Sequence, residues 1–126
     1  MKKMKRNYNG WALTNPEQLL NKIDVKHRNE ICDHITLSYP ASQPAEATEN
    51  VVAIGIVTTD TVQAVVVNVN GTNVRPDGKK FHVTISVADG HRPVESNAAI
   101  EAAYSSESCL NVEYFNIPIE IDVEAF

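Results

Sequence analysis

Cysteine is nearly absent from this chain of 126 residues: only Cys32 and Cys109 occur. Two thiols cannot make a disulfide framework, and their scarcity fits a reducing, cytoplasmic setting. Long apolar runs are also missing. The two most apolar stretches, 51–57 and 62–69, are short and broken by Gly, Gln and Asn, so no spanning helix is expected. The basic segment 1–6 runs into Asn7-Tyr8-Asn9-Gly10 instead of an apolar core, so it reads as a flexible, solvated tail and not as an export signal. Positive charge is in deficit, with 11 Lys plus Arg against 16 Asp plus Glu and a net charge of −5. A protein that grips duplex DNA by neutralising phosphates needs the opposite balance. A small nucleotide or a single RNA end is not excluded. No glycine-rich phosphate loop and no CxxC, HxH or HExxH spacing occurs. Cys32 and His34 share strand parity with His27 nearby, but the spacing is not that of a metal centre, and no cofactor is expected.

What is present is the composition of one globular domain. Hydrophobic residues make up 43% of the chain and charged residues 21%, enough to bury roughly two-thirds of the unfolded surface. Tyr8–Leu13 reads as a short strand. Asn15-Pro16-Glu17-Gln18 opens a helix over 15–23, with Asn15 as N-cap and Leu19, Leu20 and Ile23 on its apolar face. Ile31–Tyr39 reads as a strand and 40–50 as a loop. The β-branched runs Val51–Thr58 and Val62–Val69, separated by three residues, form a hairpin. Asn70-Gly71 and Pro76-Asp77-Gly78 are turn signals. Lys80–Ala88 is a further strand. Ser96–Ala103, rich in alanine behind a serine N-cap, is a second helix. Val112–Val123 closes the chain as one or two strands. The order β, α, β, ββ, β, α, β is an α+β pattern, without the strict alternation of a doubly wound sheet.

Two of these strands carry the same chemistry. His34-Ile35-Thr36-Leu37-Ser38 and His82-Val83-Thr84-Ile85-Ser86 both read His, β-branched apolar, Thr, aliphatic, Ser. Strand side chains alternate faces, so His, Thr and Ser share one face and the aliphatic residues take the other. Each strand then offers an imidazole and a hydroxyl about 7 Å apart. Two imidazoles of ordinary proton affinity can divide acid and base work at neutral pH. Threonine hydroxyls can donate to the non-bridging oxygens of a phosphate, where charge accumulates. The chemistry suited to this set is phosphoester cleavage without a metal.

With these motifs in place, the chain resembles the two-histidine phosphoesterase superfamily, which carries two His-x-Thr/Ser motifs on pseudo-symmetric strands. The similarity is closest to the cyclic phosphodiesterase domain of fungal-type tRNA ligases and its stand-alone relatives. It is carried by Tyr8–Leu13, Lys26-His27, the two motifs, and Pro93-Val94-Glu95-Ser96-Asn97, and it spans most of residues 8–123. The resemblance implies a compact bilobal fold: two pseudo-symmetric antiparallel β lobes, helices outside, and a central groove in a single domain. It implies that His34 and His82 are the acid/base pair and that Thr36 and Thr84 bind the phosphate. It implies cyclic-phosphate substrates: 2′,3′-cyclic phosphate RNA ends or nucleotides, or cyclic (oligo)nucleotide signals of the kind viral enzymes destroy to evade host immunity. The acidic net charge favours a small substrate, and a monomer is the expected state.

Around the motifs, Tyr8, Trp11 and Tyr39 are aromatic candidates for stacking on a base, although Tyr8 and Trp11 differ in parity and cannot both face a groove from one regular strand. His91 and Arg92, in the loop after the second motif, can reach its mouth. Arg75, Lys79 and Lys80 form a small basic cluster that suits either a phosphate or a solvated turn. His27 reads as an exposed connector residue. Two other classes compete with the enzyme: a catalytically silent nucleotide- or RNA-binding module on the same fold, and a structural or interaction protein with coincidental motifs.

Overall fold

The computed structural model describes residues 7–39, 41, 44–105 and 112–126. The expected tail 1–6 and Cys109 lie outside the described residues. The elements are β1 (Asn9–Leu13), α1 (Glu17–Leu20), β2 (Asn29–Glu30), β3 (His34–Ser38), β4 (Val51–Thr58), β5 (Val62–Val69), β6 (His82–Val87), α2 (Glu95–Ser105), β7 (Glu113–Glu120) and β8 (Val123–Ala125). The strands form one eight-stranded sheet in the order β7-β4-β5-β6-β3-β1-β8, with β2 also pairing with β6. Every pairing is antiparallel. The class is α+β, dominated by antiparallel sheet.

Two cores lie on the two faces of this sheet. One collects Trp11, Leu19, Ile35, Val65, Val83 and Ile85; the other places Ile100 and Ala103 of α2 over Val57, Ala64 and Val66. This explains why β5 shows no alternation. Val65, Val67 and Val69 serve one core and Ala64 and Val66 the other, and seven of its eight residues are buried. A strand covered on both faces reads as a continuous apolar run. Each such valine contributes about 1.5–3 kcal/mol by leaving water. The 51–58/62–69 hairpin forms as expected. So does the turn after β5, where Asn70 (φ 52°) and Gly71 (φ 88°) take the paired left-handed geometry of a type I′ turn. No helix among the described residues is long and apolar enough to cross a membrane.

The first helix is shorter than its sequence implies. It has four residues, with Pro16 and not Asn15 at the N-cap. Lys22 N–H donates to the Leu19 carbonyl and tightens the last turn. Gln18 clamps the chain end: its Nε2 donates to Asp122 Oδ2 (3.0 Å) and its Oε1 accepts from Asp122 N–H (2.8 Å). Leu19, Leu20 and Ile23 still pack on the core. Of the strand expected over Ile31–Tyr39, His34–Ser38 forms as β3; the chain before it is broken at Cys32, which adopts φ 44°, and β2 lies ahead of that break. The last segment forms two strands on opposite edges of the sheet: β7 pairs with β4 and β8 with β1. Gly10 lets β1 approach β3 at a register shift, since a Cβ there would run into the Ile35 carbonyl oxygen.

Candidate active site

β3 and β6 lie side by side near the middle of the sheet, aligned at Ile35 and Val83. One step to either side places His34 opposite Thr84 and Thr36 opposite His82. All four are on the face away from Ile35 and Val83, because strand residues alternate. The two histidines are diagonal neighbours, about 7–8 Å apart by strand geometry. Positive charge on His34 opposes protonation of His82, so the two rings share one electrostatic environment.

The rings sit in different surroundings. His82 is buried, and its Nδ1 lies 3.0 Å from the Lys80 carbonyl oxygen. A carbonyl only accepts, so Nδ1 carries the hydrogen and Nε2 of the neutral ring keeps its lone pair. Burial lowers the His82 pKa to about 4. The Lys80 carbonyl works against that shift, while Arg75, His34 and Lys79 reinforce it. His34 is about a quarter exposed, and its Nδ1 lies 3.0 Å from Asp33 Oδ2. That carboxylate accepts the Nδ1 hydrogen and forms an ion pair with the ring when Nε2 is also protonated. Tyr8 packs on the same imidazole, with ring centroids 4.7 Å apart.

The hydroxyls differ in the same way. Thr36 is half-buried on β3. Thr84 is buried; its Oγ1 lies 2.8 Å from Ser96 Oγ and 3.3 Å from the Pro93 carbonyl. Ser96 was expected to cap α2, but its hydroxyl serves Thr84. The start of α2 is held by Glu95, which accepts from the Arg92 N–H and lies 2.8 Å from His91 Nδ1. Ser86, the last residue of the second motif, is fully buried and donates to Gln63 Oε1 at 2.8 Å. Gln63 also accepts from Lys26 N–H and donates to the Asp24 carbonyl, and Ser86 accepts from His27 N–H. This network pins the connector 24–27 onto the sheet.

Of the five expected substrate contacts, Tyr8 reaches His34. Trp11 does not: it is 4% exposed, lies edge-on to Phe81 and donates to the Glu46 carbonyl, because its parity turns it into the core behind the motifs. Tyr39 lies beyond the end of β3, about 16 Å along the strand from His34, and its hydroxyl accepts from Asn7 Nδ2. His91 and Arg92 belong to the loop whose Pro93 carbonyl meets Thr84; the His91 ring is engaged by Glu95, which takes only the backbone N–H of Arg92. His27, expected to be exposed, is half-buried, with its Nε2 2.8 Å from the Thr59 carbonyl. The shared parity of Cys32 and His34 does not hold. The left-handed backbone at Cys32 turns its side chain into the core, where burial pushes the thiol up to about 12. Among the described residues no three His, Cys, Asp or Glu side chains gather as a metal site.

The sequence reading missed Asp33 behind His34, the Lys80 carbonyl behind His82, and Ser96 beside Thr84. Only the first left a local signal, as the residue adjoining the motif histidine. The other two arise from a turn and from helix packing. No protein-family model, no curated protein and no solved structure matches the chain.

Proposed function

We propose that the protein is a phosphodiesterase that opens or hydrolyses cyclic phosphates by paired-histidine catalysis. The observation that carries this reading is the β3–β6 alignment at Ile35 and Val83, which sets two His-x-Thr motifs against each other on one face. The sheet also supports a bilobal reading about that seam, with β3-β1-β8 on one side and β6-β5-β4-β7 on the other.

In this mechanism His82 is the base. Its Nε2 lone pair takes a proton from the attacking water, whose oxygen bonds to phosphorus. The bond from phosphorus to the leaving oxygen breaks, and His34 Nε2–H gives that oxygen its proton, leaving a phosphomonoester. Asp33 orients His34 and stabilises its charged form before transfer. Thr36 donates to a non-bridging oxygen as charge builds there. Tyr8, against His34, is the aromatic surface for a base. The substrate classes are those of the resemblance: 2′,3′-cyclic phosphate ends or nucleotides, and cyclic mono-, di- or oligonucleotide signals.

The experiment is a panel of these compounds incubated with the protein in EDTA. Turnover that persists in EDTA and is lost in His34→Ala and His82→Ala is the expected result. One observation favours the second reading, a silent nucleotide-binding module: the Thr84 hydroxyl is already engaged by Ser96 and Pro93. Saturable binding of a panel compound without turnover would establish that module in place of the enzyme.

A further inference from the structure

Arg75 is 4% exposed, although arginine is charged at any physiological pH. It opens the turn between β5 and β6. Its N–H donates to the Lys79 carbonyl (2.7 Å), its carbonyl accepts from Gly78 N–H (2.9 Å), and Val74 bridges to Lys80. Among the described residues its charge is met by one carboxylate, Asp77, 2.8 Å from Nη2 and itself 39% exposed. Arg75 Nε is buried without a hydrogen-bond partner among the described residues. A buried guanidinium answered on one side only is costly, and its field is incompletely cancelled. The same turn ends in the Lys80 carbonyl that meets His82 Nδ1.

We propose that Arg75 is a positioning residue for His82: it seats the turn that presents the Lys80 carbonyl and holds a fixed positive charge beside the imidazole. The charges that act on that ring are positive, one of them, His34, paired in turn with the Asp33 carboxylate. From the turn come Arg75 and Lys79, and from β3 comes His34, backed by Asp33. β5 places Val66 opposite His82 and carries no charged residue. At the start of α2, His91 and Glu95 are engaged with each other. Burial is the main cause of the neutral ring; Arg75 adds to it, favouring the Nδ1-protonated state in which Nε2 can accept a proton. The catalytic consequence rests on the phosphodiesterase reading. The effect on the ring does not.

The test is a pH titration of the His82 ring nitrogens by NMR in Arg75→Met and Arg75→Lys. Loss of the charge in Arg75→Met moves the His82 midpoint up from about 4, by on the order of half a unit to one unit. Arg75→Lys keeps the charge and holds the midpoint close to that of the parent. An unmoved midpoint in Arg75→Met overturns the proposal, as does a shift in Arg75→Lys as large as that in Arg75→Met. If Arg75→Met does not fold, Asp77→Asn on the exposed side removes the counter-charge and should lower the midpoint; an unchanged or raised midpoint there also overturns it. Expected shifts in a protein that turns over no cyclic phosphate would leave the Arg75 assignment standing and end the phosphodiesterase reading.

Discussion

β3 and β6 carry nearly the same five-residue pattern, and the sheet treats them differently. Every residue of β6 is buried, whereas on β3 only Ile35 is fully buried. The cause lies in what flanks each strand. β6 has β5 beside it, α2 over its His-bearing face through Ser96 and Thr84, and Gln63 closing over Ser86. β3 has the short β1 and β8 outside it. Burial makes His82 a neutral ring with one bare nitrogen, and it makes Thr84 and Ser86 parts of the framework. Exposure leaves His34 beside a carboxylate and able to carry charge. A sequence repeat thus becomes a division of labour through its surroundings alone.

The largest test of that comparison is activity. His34→Ala and His82→Ala should each reduce turnover of a cyclic phosphate by about 10²–10⁴-fold, with the double variant little worse than either single one, since the pair acts as a unit. Additive losses would break the pairing. The asymmetry should also show in the pH profile of kcat/KM. The acid limb should fall near 4, where His82 takes a proton. A profile that rises steadily to about pH 9 would count against two imidazoles.

Stability gives the next largest effect. His82 has a folded pKa of about 4 against an ordinary value of 6.5. Above 6.5 both states are neutral and the ring contributes no pH dependence. Between 6.5 and 4 the unfolded chain binds a proton that the folded one refuses, so stability falls as pH falls, by on the order of 3 kcal/mol in all, and levels off below 4. Denaturant unfolding of the parent and His82→Gln across that window checks it, since the glutamine variant should lose this slope.

The serines come third. Ser86→Ala removes a donor to Gln63 and an acceptor for His27 N–H, and should cost about 1–3 kcal/mol in urea unfolding. Ser38→Ala on the half-buried strand should cost less than Ser86→Ala, since the site is less buried. Equal costs would mean that the two motifs share one environment after all. The smallest contrast is between the threonines. Thr36→Val should lower activity with little change in stability. Thr84→Val should also lose about 1 kcal/mol of stability, because Ser96 loses its partner.

Much of this was legible from the residues alone. The hairpin of β4 and β5 followed from β-branched runs, the Asn70-Gly71 turn from its dipeptide, and the face shared by His82, Thr84 and Ser86 from simple alternation. What failed were long-range effects. Gln18 was drawn to Asp122, more than a hundred positions away, and the helix start expected at Asn15 moved to Pro16. Ser96 looked like a cap because nothing local says that Thr84 will lie against it. Trp11 was placed among the groove candidates because parity alone separates it from Tyr8 without saying which of the two faces the core. The difference in burial between the two motif strands had no local signature, because it depends on which elements pack beside them.

The left-handed residue at Cys32 has a consequence for how this chain can vary. From Glu30 to Ile35 the β2–β3 strand path takes five steps, while its partner takes three, from Ser86 to Val83. The surplus is two residues, an even number, so His34 stays on the same side as Glu30 despite the detour. Inserting or deleting a single residue within 31–33 would send His34 and Thr36 into the core and bring Ile35 and Leu37 to the surface. A change of two would only enlarge or flatten the detour. This stretch therefore behaves as a parity lock: homologous or engineered chains that keep the His34 face should differ here by zero or two residues, and by one only where the motif itself is gone.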